Sequence, residues 1–189
     1  MDADRGLVDA AAGGSRDAFD EIVLRYQGQM LNLARVMTAG DDAEDLAQEV
    51  FVRAWRSIGS FRAESTFKTW LYGIALNVIR THRGRQSRLR QMFRTSPKDA
   101  DSDADPFRRA SVEDGIEEPL AMREIIDRAL ATLPHEMRAA VVLRDVQGLD
   151  YREISAVLDL PIGTVESRIF RGRQRLRPLL AALRPRWER

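Results

Sequence analysis

The chain has 189 residues, enough for one or two small domains, with 44% hydrophobic and 31% charged residues. A net charge of +1 excludes a general polycation, so any nucleic-acid footprint must be a local patch. Cysteine is absent, which removes disulfides, thiolate metal sites and thiol catalysis and is compatible with a reducing cytosol.

The opening "MDADRGLVDAAAGG" is acidic and lacks the basic-then-apolar pattern of a signal peptide. No window reaches the ~18 apolar residues of a membrane span. The expectation is a soluble, cytoplasmic protein. Phe19, Ile22, Val23, Tyr26, Met30, Leu33 and Met37 share one face of a helix that Gly40 ends. "DDAEDLAQEVFVRAWRSI" predicts a second helix, N-capped by Asp41 or Asp42, with Ala43, Leu46, Ala47, Val50, Ala54 and Ile58 inward. The loop "GSFRAES" follows, and Ser65 or Thr66 caps a third helix, "TFKTWLYGIALNVIR". That helix is apolar almost all round, as at the centre of a bundle.

From about Gly84 to Glu118 the periodicity fails. Arg80 to Lys98 holds seven basic residues and no acid, then Asp99 to Asp105 reverses the sign, and Pro97, Pro106 and Pro119 interrupt any helix. This segment reads as a charged linker. Helical period returns with Ile125, Ile126, Ala129, Leu130 and Leu133, breaks at Pro134, and continues through Ala140, Val141, Leu143 and Val146 to Gly148. "DYREISAVL" carries a capping box, Asp150 with Glu153. A short turn then places Pro161 at a first helical position, and the basic helix containing "GTVESRIFRGRQRLR" follows. Helix, tight turn and basic helix make a helix-turn-helix.

Most chemistry is excluded. His82 and His135 stand alone, and the aspartate run has Ala104 and Ala110 where a calcium loop needs Gly and Glu. There is no phosphate cradle, nucleophile elbow or zinc spacing, so the chain is not expected to be an enzyme. The basic helix is more informative. Ile162, Val165, Ile169, Leu176 and Leu180 form a buried stripe, and only Glu166 within the helix opposes Arg168, Arg171, Arg173, Arg175 and Arg177. With Ile169 inward, Thr164, Ser167, Arg171 and Gln174 point outward, flanked by Phe170 and Arg175, a donor-rich face for a major groove. In the first half, Asp45, Gln48 and Glu49 form an acidic-amide patch suited to a basic protein partner, or an ordinary solvated face. Thr69, Gly73, Asn77 and Arg80 form a small and polar strip beside Phe61, Trp70 and Tyr72, where an unstacked base fits; Asn77 alternatively satisfies a backbone group.

"DAEDLAQEVFVRAWRSIGSFRAESTFKTWLYGIALNVIRTHRGR" resembles region 2 of the extracytoplasmic-function (ECF) sigma factors of bacterial RNA polymerase. "LPHEMRAAVVLRDVQGLDYREISAVLDLPIGTVESRIFRGRQRLR" resembles region 4 of the same family, and together they cover about 90 of the 189 residues in family order. The resemblance implies an all-α chain of two small domains joined by a flexible charged linker: sigma-2 over 1–92, the linker over 93–118, and sigma-4 with its helix-turn-helix over 119–189. It implies no catalytic residue, cofactor or metal. It further implies an alternative sigma factor that binds core polymerase, directs initiation in the cytoplasm, and is controlled by an anti-sigma factor that holds the two domains closed.

By residue, the resemblance puts Asp45, Gln48 and Glu49 on the clamp helices of the polymerase's largest subunit. Phe61 and Asn77 would form a pocket for an extruded −10 base, with Arg80 and Arg83 on phosphates. Thr164, Glu166, Ser167, Arg168, Phe170, Arg171, Arg173 and Arg175 would meet the −35 element, Glu166 standing where the family often has a basic or polar residue. Two other readings are a sigma-mimicking module that binds an anti-sigma protein and a helix-turn-helix repressor. The first predicts a receiver domain and a lost arginine face; the second leaves the first half without a role.

Overall fold

A computed structural model describes residues 4–38, 42–93 and 118–181. The described residues are helical, without a strand. The helices are α1 (Arg5–Ala12), α2 (Arg16–Thr38), α3 (Ala43–Ser57), α4 (Phe67–Phe93), α5 (Glu118–Ala131), α6 (His135–Val141), α7 (Tyr151–Leu158) and α8 (Ile162–Leu180). A 3-10 turn, Ile58–Ser60, follows α3, and a π-helical turn, Val142–Val146, continues α6.

The first four helices form one bundle. On α2, Phe19, Ile22, Tyr26, Met30, Leu33 and Met37 are buried at helical spacing, as the periodicity predicts, while Val23 sits half-buried at the edge of the stripe. Ser15 caps the helix by accepting from the Ala18 N–H, and α2 ends at Thr38; Gly40 and Asp41 lie outside the described residues. Burying each such aliphatic or aromatic side chain contributes roughly 1.5–3 kcal/mol. The α3 stripe is buried as expected, joined by Phe51. Thr66 caps α4, its hydroxyl accepting from the Thr69 N–H at 3.1 Å.

Three local readings are corrected. Asp42 occupies the N-cap position of α3 but makes no capping bond. With φ at 57° its carboxylate turns to α4, 3.2 Å from His82 Nε2 and 3.3 Å from Gln86 Nε2. The third helix does not fade at Gly84 but continues to Phe93, because straight-chain arginine and glutamine residues sustain a helix across one glycine. The N-terminal stretch, read only for targeting, forms α1, with Val8 and Ala11 buried on it. The aspartate run and nearly all of 93–118 lie outside the described residues.

In the second group, Ala129, Leu130 and Leu133 are buried, whereas Ile125 and Ile126 are 39% and 37% exposed. Among the described side chains of α5, the inward-facing apolar ones lie at its C-terminal end. The two groups touch where α7 packs on α4 and where α5 and α6 meet α2.

Candidate nucleic-acid and polymerase interfaces

The helix-turn-helix is built by its caps. Asp150 Oδ1 accepts from the Glu153 N–H and Glu153 Oε2 accepts from the Asp150 N–H, both at 2.8 Å, so the predicted capping box is closed. Asp159, at φ 54°, ends α7 in the left-handed region, and Pro161 sits at the N-cap of α8, one residue before the predicted helical position. Val165, Ile169 and Leu176 are buried, but Ile162 is 41% exposed and Leu180 only half-buried. A close approach at Gly172 is not visible in the sequence: a Cβ there would lie 2.6 Å from Val141 Cγ2. The absent side chain lets α8 seat against α6.

The opposite side of α8 is open. Ser167, Arg171, Gln174 and Arg175 are exposed, Phe170 is 63% exposed, and Thr164 is half-buried at the start. The arginines are not equivalent. Arg168 pairs with Glu136, and Arg173 Nε lies 3.0 Å from Asp145 Oδ2. Screening of the basic face therefore comes from α6 and the π turn, as well as from exposed Glu166. Pairing with Asp145 holds the Arg173 guanidinium more firmly protonated than usual. The π turn aims Asp145 at α8 and Gln147 at α4; such turns recur at functional positions.

The residues assigned to the −10 element do not converge on one pocket. Phe61 stands with Phe67 and Trp70 in an aromatic cluster, ring centroids 5.3–5.9 Å apart. It lines a cavity of about 240 Å³ with Ala63, Glu64, Ser65 and Thr66 of the loop, and with Arg5, Val8 and Asp9 of α1. Asn77 is absent from that lining. It is exposed on α4, its Oδ1 accepting from Arg80 at 3.3 Å. Tyr72 is fully buried and faces the second group instead of the aromatic cluster. Burial raises the Tyr72 phenol well above its ordinary range and also lowers the Arg83 guanidinium.

On α3, Asp45 and Gln48 are exposed, and Glu49 is half-buried and accepts from Arg53 Nε at 2.7 Å. Asp45 also lines an open cleft of about 720 Å³ with Arg35, Asn32 and Glu44, closed on the far side by Arg123 of α5. Across that cleft Arg35 pairs with Asp127 at 3.0 Å and Arg123 donates to Asn32 at 2.9 Å. At the N-terminal end of α4, Lys68 Nζ donates to the Gln147 carbonyl at 3.1 Å and Thr69 Oγ1 to Glu153 at 3.3 Å. Arg138 donates to the Ala131 and Leu133 carbonyls, and its pKa is pushed down to about 10 by burial, with neighbouring Arg83 adding to the effect.

Sequence reasoning missed Arg5 and Asp9, for which the apolar pair Val8 and Ala11 was the available signal, and missed Glu136, Asp145 and Gln147, which no local pattern marks. Among the described residues no His, Asp or Glu cluster could hold a metal ion, and no helix is long and apolar enough to cross a membrane.

The chain matches the family models described as Sigma-70 region 2, over residues 22–89, and Sigma-70, region 4, over residues 123–176. It is 36% identical to the ECF RNA polymerase sigma-E factor of Escherichia coli (strain K12), the alignment covering 90% of this chain and 91% of that one. It is 38% identical to the RNA polymerase sigma-H factor of Pseudomonas aeruginosa, covering 95% and 97%. The fold is similar to that of the sigma factor RpoE in complex with the anti-sigma factor NepR from Bartonella quintana. The TM-score is 0.69 at 28% identity, over 86% of this chain and 96% of that one. Both modules occur here in one chain and in the same order, and the chain belongs to the ECF sigma factors of the sigma-70 family.

Proposed function

We propose that this chain is an alternative sigma factor that joins core RNA polymerase in the cytoplasm and directs initiation at promoters carrying its own −35 and −10 elements. The observation that carries the reading is the coexistence of an open arginine and phenylalanine face on α8 with a cavity that Phe61 lines. A repressor needs only the first of these. The functional units are 1–92 for core binding and −10 recognition, 93–118 as linker, and 119–189 for −35 recognition; the two family matches, over residues 22–89 and 123–176, support this division.

The exposed carboxylate of Asp45, with Gln48 and Glu49, meets the clamp helices of the largest subunit. Phe61 stacks on an extruded non-template base; extrusion costs a few kcal/mol, which a fitted cavity offsets. Asn77, Arg80 and Arg83 lie along the strand leading from it, on the same helix as Phe67 and Trp70. At the −35 element, Arg171 and Ser167 reach base edges, Phe170 meets a thymine methyl, and Thr164 and Glu166 flank them. Arg175, Arg168 and Arg173 hold phosphates, the last two after leaving Glu136 and Asp145.

The contacts between the two groups cover Lys68, Thr69 and Tyr72 of α4, so the described arrangement is a resting one that must open on the polymerase. An anti-sigma factor that clamps both groups would hold it; the likeness to a relative in complex with one supports this reading.

Run-off transcription with purified core polymerase on genomic fragments tests the function. Discrete transcripts are expected only when the chain is added, and Asp45→Ala with Glu49→Ala should lose them while keeping helical content. Binding of the −35 DNA by the isolated chain, with no retention on core polymerase, would favour a repressor.

A further inference from the structure

We infer that α1 is one wall of the −10 base cavity and that Asp9 and Arg5 read the amino-bearing edge of the extruded base, selecting cytosine or adenine against thymine. This rests on the assignment of Phe61 to that base. Chain termini are poorly ordered unless something ties them down. Here the tie is a buried carboxylate: Asp4, 7% exposed, accepts from Arg25 at 2.7 Å and from the Tyr26 hydroxyl. Such burial is costly without partners, and these two bonds offset it. Tyr26 packs edge-on against Phe67 at 5.8 Å, and Phe67 edge-on against Phe61 at 5.9 Å. The anchor of α1 and the aromatic wall of the cavity are thus one packed series.

Positions i, i+3 and i+4 lie on one side of a helix, and in α1 they are Arg5, Val8 and Asp9, all lining the cavity. Val8 is buried at its floor, 2% exposed. Across from them the loop turns at Ala63, held at φ 55°, a conformation L residues adopt at some cost and one that clusters at functional sites. The volume, about 240 Å³, lies below that of drug-sized sites and suits a single base.

The polar edge of this cavity is specific. Arg5 Nε and Asp9 Oδ2 lie 3.6 Å apart with their side chains 66% and 69% exposed. A pair this open holds together weakly and exchanges readily for a ligand. Side by side, a carboxylate acceptor and a guanidinium donor complement a base that presents an exocyclic amine next to a ring nitrogen. Cytosine and adenine do so on their Watson–Crick edges, with an unprotonated ring nitrogen toward Arg5; thymine held in the same orientation places a carbonyl oxygen against Asp9 and an N–H against Arg5. Glu64 on the facing loop adds a second acceptor to the same lining.

The test uses holoenzyme assembled from the full chain and core polymerase. Its binding is measured on forked promoter templates carrying each of the four bases at each −10 position of the non-template strand. Asp9→Ala should reduce the preference for cytosine or adenine over thymine at one position by about ten-fold and leave the other positions unchanged. Arg5→Ala should reduce it at the same position. Phe61→Ala should weaken binding to every forked template without altering binding to closed duplex. If Phe61→Ala has no effect, the base assignment itself fails. If Phe61→Ala acts as stated while Asp9→Ala retains full preference, or weakens all bases equally, α1 is only a structural support.

Discussion

The Tyr72 hydroxyl lies 2.7 Å from Gln147 Oε1, a hydrogen bond that joins the centre of the first helical group to the π turn of the second. Gln29 Oε1 is 2.9 Å away on the other side, and the single phenolic proton serves one acceptor at a time. Gln147 Nε2 is buried with no hydrogen-bond partner among the described residues. An unsatisfied buried donor costs about 1–3 kcal/mol, so the junction is weak by construction.

Tyr72→Phe should therefore shift the chain toward an open arrangement without loss of helix. Energy transfer between dyes on α3 and α8 should fall and circular dichroism should not change. Core polymerase should bind the variant several-fold more tightly, because less of the closed form competes. Unchanged energy transfer would show that this bond does not hold the groups together.

The ion pair of Arg173 with Asp145 separates the α8 arginines in a measurable way. Arg171→Ala should flatten base preference at one or two −35 positions, a loss of ~1–3 kcal/mol of discrimination. Asp145→Ala should strengthen binding to all −35 sequences alike and steepen the salt dependence by up to about one unit, since it frees Arg173 for a phosphate. A −35 library read across a salt series distinguishes them. Sequence-dependent behaviour of Asp145→Ala would mean that Arg173 reads a base.

At the α2–α5 contact the sign of a pH effect runs against intuition. Burial raises the Asp127 carboxyl above the ordinary aspartate range, outweighing the opposite pull of Arg35 and Arg123. A raised acid contributes stability that is fully present below its solvated pKa and is lost as pH rises through the raised value. Acidification into the carboxylate range should tighten this contact as far as Asp127 is concerned. Asp127→Asn should leave the groups closed at neutral pH and flatten the dependence in that window, followed by the same dye pair. Opening of Asp127→Asn at neutral pH would show that Coulomb attraction to Arg35 dominates.

Gly172 is needed for space. Because Val141 is β-branched and 1% exposed, it has little freedom to yield to a Cβ 2.6 Å away. Gly172→Ala should cost about 1–3 kcal/mol in urea unfolding, despite the better helix propensity of alanine. Adding Val141→Ala should recover part of the loss. A stabilised Gly172→Ala would show that α8 can shift freely on α6.

What the sequence determines by itself here is local and periodic. The α2, α3 and α8 stripes, an α4 cap at Ser65 or Thr66 and the Asp150–Glu153 capping box all follow from spacing within about four residues, because helical geometry repeats on that scale; the order of the two modules is legible through the family resemblance. Only the tertiary structure decides which groups meet across elements. Arg168 finds Glu136 and Arg173 finds Asp145, partners 32 and 28 positions away. Asp42 gives up its cap for α4, Asn77 turns to solvent while Phe61 faces α1, and Tyr72 joins the groups instead of the aromatic cluster. The physical reason is common to all of these. A side chain's direction follows from its own helix, but its partner depends on how two helices cross, and that is set by packing of the whole core.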